Sequence, residues 1–108
     1  MSSTDFYVLN EERAPVAAPV DEWARWFETE DRTVAKTGDG DILISTVFLG
    51  LDHNFGLIGA PVLFETLVFG GVLDGEMDRY TTWEEAEAGH AHMVERVMAA
   101  ESAKPETP

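Results

Sequence analysis

Between residues 41 and 71 the chain reads DILISTVFLGLDHNFGLIGAPVLFETLVFGG, two apolar runs joined by a glycine-rich stretch. In the first run Ile42, Ile44, Thr46 and Phe48 fall on one side of an extended chain. Leu43, Ser45, Val47, Leu49 and Leu51 fall on the other. The second run sets Val62, Phe64, Thr66 and Val68 against Leu63, Glu65, Leu67 and Phe69. A strand with one wet face alternates apolar and polar residues more sharply than this. The pattern therefore predicts two central strands whose faces are both to be covered, by helices or by another copy of the chain.

A different period appears on either side. Val20, Trp23, Trp26 and Phe27 recur at helical spacing, predicting a short helix over residues 22–30, with Asp21 as its cap and its rings buried against the sheet. Thr82-Trp-Glu-Glu85 is a capping-box string opening a second helix that runs to about Ala100. Its stripe holds Trp83, Ala86, His90, Met93, Val94, Val97 and Met98, with His92 half a turn away. Phe6, Tyr7, Val8 and Leu9 suit a short strand or an extended arm, and two prolines in residues 11–19 predict an extended linker. Residues 32–37 read as an edge strand, closed by the Thr37-Gly-Asp-Gly-Asp41 turn in which both glycines are expected at positive φ. The order helix, hairpin, third strand, helix predicts an α+β fold: an antiparallel sheet of three to four strands flanked by an N-terminal helix and a longer C-terminal one. The organisation expected is an extended arm over residues 1–20, one domain over 21–100 and a flexible tail over 101–108.

Composition narrows the function classes. The chain has no cysteine, so disulfides and thiolate metal sites are excluded. No apolar run approaches the roughly 20 residues of a membrane span, and residues 1–13 lack a secretory pattern, so a cytoplasmic protein without membrane contact is expected. Twenty-one acids against seven bases give a net charge of −14. Such a charge repels phosphate backbones and argues against direct nucleic-acid binding. It serves solubility, or it lets carboxylates imitate nucleic acid in the basic groove of another protein. For that second role Glu28, Glu30, Asp31, Asp74, Glu76 and Asp78 are the candidate contacts.

Few residues invite chemistry. Asp52 and His53 stand at the mouth of the glycine-rich stretch, Glu65 is a carboxylate on an apolar strand face, and His90 lies on the apolar helix stripe. If the last helix crosses the sheet face bearing Glu65, then His53, Glu65 and His90 come together. They would hold a divalent metal or act as an acid–base pair. The competing reading is a satisfied polar network that fixes register. His90-Ala-His92 points its rings apart, Ser45 has no sharp turn to expose it, and Gly50, Gly56, Gly59 and Gly70-Gly71 lack a phosphate-loop lysine and read as turn or bulge residues. No cofactor is expected.

The strings WARWFE, DRTVAKT, STVFLGLDHNF, LFETLVFGG and RYTTWEEAEAGH, within residues 23–97, resemble a family of small uncharacterised proteins encoded by bacteriophages, prophages and their hosts. The resemblance implies a phage-associated origin in a bacterial cytoplasm and brings no activity with it. The function expected is that of an accessory protein that binds a protein partner, modulates a host factor and self-associates. The alternatives are a small enzyme using His53, Glu65 and His90, and a structural or assembly component of a virion.

Overall fold

A computed structural model describes residues 5–54 and 59–104. The expected leading residues 1–4, the glycine at Gly56 and the end of the tail, 105–108, lie outside the described residues. The elements are β1 (Tyr7–Leu9), β2 (Pro15–Ala17), α1 (Val20–Thr29), β3 (Thr33–Asp39), β4 (Ile42–Phe48), β5 (Phe64–Phe69), β6 (Met77–Tyr80) and α2 (Trp83–Ala103). β3 to β6 form an antiparallel four-stranded meander in chain order, and β1 pairs with β2 in a separate hairpin. The fold is α+β.

The meander is possible because each connection suits its neighbours. β3 and β4 meet across a two-residue turn, Gly40-Asp41, which pairs Asp39 with Ile42. Of the two glycines expected at positive φ only Gly40 has it, at 60°. Gly38 is a strand residue paired with Leu43. A bulge between Thr33 and Ala35 in β3 shifts the register. β4 then pairs with β5 from Leu43↔Phe69 to Phe48↔Phe64, and β5 pairs with β6 from Phe64↔Tyr80 to Leu67↔Met77.

α2 lies along one face and contacts all four strands. Its N-terminus is fixed by Thr82, whose hydroxyl accepts the Glu85 N–H at 3.0 Å. The Glu85 carboxylate reaches back one residue further than a capping box would, to the N–H and hydroxyl of Thr81. Those donors hold the Glu85 carboxyl below its ordinary value. The helix continues to Ala103, three residues into the expected tail. Trp83, Ala86, His90, Met93 and Val97 are buried, alternating steps of three and four. Ile44, Thr46 and Phe48 from β4, and Phe64, Thr66 and Val68 from β5, meet them. One apolar cluster gathers Phe48, Leu63, Phe64, Trp83 and Ala86, and another gathers Ile44, Val68, Met93 and Val97. Between the two lies a polar layer.

The N-terminal segments close the Phe48 end of this same face. Tyr7, Leu9 and Trp26 pack on the first cluster, with the Trp26 ring edge-on to Phe48 at 5.6 Å. Trp23 lies instead between Phe6 and Phe27, at 4.9 and 4.6 Å. The rings of α1 thus bury partly on the sheet and partly on the hairpin arm. Asp21 is not the cap of α1. Pro19 holds that position and offers no side-chain hydrogen bond, while Asp21 sits in the first turn and pairs loosely with Arg25. Val20 is more than half exposed.

Candidate functional site: a buried histidine layer and an uncovered sheet face

The polar layer is a chain of hydrogen bonds that crosses all four strands. The Tyr80 hydroxyl on β6 donates to Thr66 Oγ1 on β5 at 3.0 Å. Thr66 and Thr46, on adjacent strands, are 2.5 Å apart. Thr46 Oγ1 is 2.7 Å from His90 Nδ1, and His90 Nε2 is 2.8 Å from Thr37 Oγ1 on β3. Each hydroxyl has one hydrogen to give. A neutral imidazole has one N–H donor and one acceptor nitrogen, so either tautomer joins Thr46 on one side to Thr37 on the other. Thr46 and Thr66 are fully buried and His90 is 6% exposed. Burial holds the His90 pKa below the ordinary imidazole value and pushes the Tyr80 phenol up. The layer is satisfied at every member, which suits a device that fixes strand and helix register.

Gly89 makes room for it. The Tyr80 ring lies flat against the helix at this position, where any Cβ would overlap it. A glycine inside a helix costs about 1 kcal/mol relative to alanine. Here it lets Tyr80 close the layer on its outer side.

Glu65 points the other way. It pairs with Val47 and Arg79 across the strands, and its carboxylate accepts from Arg79 Nε at 3.0 Å. Glu65 and His90 are therefore on opposite faces of the sheet, and the expected inward orientation of Glu65 is corrected. His53 is at the corner after β4, its Nδ1 2.9 Å from the Leu51 carbonyl. Asp52 accepts from the N–H groups of Asn54 (2.7 Å) and Val62 (2.9 Å), tying together the two ends of the glycine-rich stretch. The residues grouped as Asp52, His53, Glu65 and His90 thus divide into a loop clamp, a corner imidazole, a surface ion pair and a core histidine. Among the described residues no group of three His, Asp or Glu side chains is placed to hold a metal ion.

The face that carries Glu65 is the other candidate. Its strand positions are Thr33, Lys36 and Gly38 on β3; Leu43, Ser45 and Val47 on β4; Glu65, Leu67 and Phe69 on β5; and Met77 and Arg79 on β6. Neither helix contacts it, since α2 covers the opposite face and α1 contacts β1. Phe69 and Met77 are 47% and 45% exposed, and Leu43, Val47 and Leu67 are half-buried by one another. Two exposed and three partly buried apolar side chains on one uncovered face make an interaction surface by composition.

The six acids singled out for mimicry fall in two groups. Glu28 lies in the last turn of α1 and Glu30 and Asp31 follow it, near the Phe48 end of β4; Asp31 accepts from the Thr33 N–H at 2.9 Å, which lowers its pKa. Asp74 and Glu76 lie by the β5–β6 connection at the opposite end of the sheet, while Asp78 sits within β6, paired with Thr66. Asp74 accepts the Gly70 N–H at 2.6 Å, and Arg96 bridges Glu76 at 2.8 Å and Asp78 at 3.8 Å. No helix among the described residues is long and apolar enough to cross a membrane.

What sequence reasoning missed here are partners. Thr37, Thr46, Thr66 and Tyr80 complete the histidine layer, and Arg79 neutralises Glu65. The signal was present for Thr46 and Thr66, which are hydroxyl residues at the inner positions of two otherwise apolar strands. Comparison with protein-family models, with curated proteins and with solved structures gives no match to this chain.

Proposed function

We propose that this protein acts by binding another protein through the open face of its sheet, and not by catalysis. One observation carries the reading: Leu43, Val47, Leu67, Phe69 and Met77 stand together on a face that neither helix covers. The groups with chemical capacity support it from the other side. His90 is buried with both nitrogens satisfied, and Glu65 is neutralised on the far face. An accessory role in a bacterial cytoplasm fits the phage-associated proteins it resembles. Nucleic-acid mimicry draws less support, because Asp74 and Glu76 lie at the far end of the sheet from Glu28, Glu30 and Asp31, and Glu76 and Asp78 are already bridged to Arg96.

The test is affinity capture from bacterial lysate with the wild-type chain and with the Phe69→Glu and Met77→Glu variants. A partner retained by the wild type in high salt and lost with either variant is expected. Retention that collapses with salt yet ignores both variants would move the contact to the acids, since exposed charge pairs are screened. Equal retention by all three proteins at every salt would remove the open face from the function.

A further inference from the structure

The N-terminal hairpin is joined to the rest of the fold at its base and at its tip by different means. β1 and β2 pair with each other, and neither runs beside a strand of the meander or beside α2. At the base the ties are backbone. The Tyr7 N–H donates to the Gly50 carbonyl at 2.9 Å, the Asp52 N–H donates to the Asp5 carbonyl at 3.0 Å, and Phe6 bridges Leu51.

The tip spends its backbone groups on itself. The Asn10 N–H donates to Ala14, the Arg13 N–H donates to Asn10, and the Asn10 side chain takes two more N–H groups of the turn. One side chain reaches across instead. The Arg13 guanidinium stands over the Trp83 ring at the start of α2, 4.7 Å from its centroid. Arg13 holds a φ of 63°, a left-handed conformation that no other non-glycine residue among those described adopts. A side chain makes that conformation costly, and strain of this kind is retained where the surroundings require it.

The seat beneath the hairpin is also unusual. Trp83 is 9% exposed, yet its indole N–H is buried without an acceptor. The Trp23 indole N–H, on a ring that packs against Phe6 and beside Gly50, is in the same condition. Buried donors are nearly always paired, so two orphans at one junction set it apart from the well-satisfied layer around His90.

We infer that the hairpin is a strap, pivoting where Ala18-Pro19 leads into α1, latched by Arg13 on Trp83, and able to lift while the meander and α2 stay folded. Lifting breaks the ties to Gly50 and Asp52 and takes Tyr7 and Leu9 off the Phe48 cluster. It also returns the orphaned indole donors to water, which offsets part of the burial lost. The surface it uncovers, Phe48, Leu63 and Trp83, belongs to the helix side of the sheet. The strap is therefore independent of the open face and of the binding reading above.

Hydrogen exchange followed by NMR on the full chain, with sub-denaturing urea added stepwise, tests it. Trp83 Nε1–H has no acceptor, so cover alone protects it and its exchange reads the strap directly. This proton and the Tyr7 and Asp52 amides should share one opening, with protection at least tenfold lower than that of the β4 and β5 amides. Arg13→Ala, at an exposed position, should speed their exchange about two- to thirtyfold and leave β4 and β5 unchanged. Glu11→Ala, exposed in the same turn, should change none of them. Exchange of the three protons only through global unfolding overturns the strap. Opening at Tyr7 and Asp52 with Trp83 Nε1–H still protected overturns its cover over Trp83. An Arg13→Ala variant that leaves the three protons unmoved, or that moves β4 and β5 equally, overturns the latch.

Discussion

Thr46→Val is the sharpest probe of the polar layer. Valine matches threonine in shape, so the substitution opens no cavity and removes only the hydroxyl. That hydroxyl is the hub of the network, 2.5 Å from Thr66 Oγ1 and 2.7 Å from His90 Nδ1, at a position with no exposure. Its loss takes a partner from His90 Nδ1 and from the Thr66 hydroxyl, in a region buried from water. Each unsatisfied buried group costs about 1–3 kcal/mol, and some relaxation is available because the imidazole can exchange tautomers, so the variant should lose about 2–4 kcal/mol. That is a large share of the roughly 5–15 kcal/mol a domain of this size has. Urea titration followed by the fluorescence of Trp23, Trp26 and Trp83 measures it, and a Tm lower by about 10–20 °C should accompany it. Thr66→Val in the same background removes the second partner of the shortest bond. The double variant should therefore cost at least about 1 kcal/mol less than the sum of the singles. A Thr46→Val change within about 0.5 kcal/mol of wild type, or strict additivity of the pair, would refute the claim that this layer is a connected network.

Two further predictions concern the same helix face. His90 is held neutral by burial, so below the ordinary imidazole pKa the unfolded chain binds a proton that the folded chain resists. Stability should fall with pH below that value and be insensitive to His90 above it, with a slope from this group of no more than about 1.4 kcal/mol per pH unit. Urea midpoints at neutral and mildly acidic pH for wild type, His90→Gln and the exposed control His92→Gln test it, and equal pH slopes for all three would contradict it. Gly89→Ala should destabilise the protein by about 1–3 kcal/mol, although alanine is the better helix former by about 1 kcal/mol, because the new Cβ would displace the Tyr80 ring. A gain in Tm for that variant would show that the ring yields without cost.

β3, β4, β5 and α2 were legible because each follows a local rule, whereas β6, in a stretch that reads as a turn-bearing connector, was not. Strand alternation in residues 42–48 and 64–69, and the 3.6-residue period after Thr82, place β4, β5 and α2 with almost no reference to the rest of the chain. The N-terminal hairpin was not legible. β2 is three residues beginning at a proline, and it exists because Asn10 folds the chain back. Its side chain accepts from the N–H groups of Glu12 and Ala14, while Arg13 takes a φ of 63°. Neither an asparagine nor an arginine at that place announces a strand two residues later. Asp21 misled for a related reason. It has the chemistry of a cap, but Pro19 has φ already suited to lead into a helix, and the helix begins one residue before Asp21.

The failure over Glu65 teaches more, because period-2 alternation tells which residues share a face and never which face is inside. Phe64, Thr66 and Val68 were correctly grouped against Glu65, Leu67 and Phe69, whereas Leu63, placed with the second set, precedes β5 and is buried in the core; both sets looked fit for burial. Two threonines decide the matter against intuition. Thr46 and Thr66 are opposite each other in the β4–β5 register and bond each other; inside the core Thr66 takes its further partner from Tyr80 on β6 and Thr46 takes its own from α2. His90 is that partner on the helix stripe, so the threonine face must be the helix face. Glu65 then has to be outside, where Arg79, its cross-strand neighbour, neutralises it. The same step leaves Leu67 and Phe69 outside with it. A chain that spends two threonines, a histidine, a tyrosine and a helical glycine to fix which face is covered has also fixed which face is left open. The five apolar residues on that open face are thereby held in register by the buried layer. Loosening the layer should disturb the open face before it unfolds the protein, which ties the stability of Thr46 variants to whatever the open face binds.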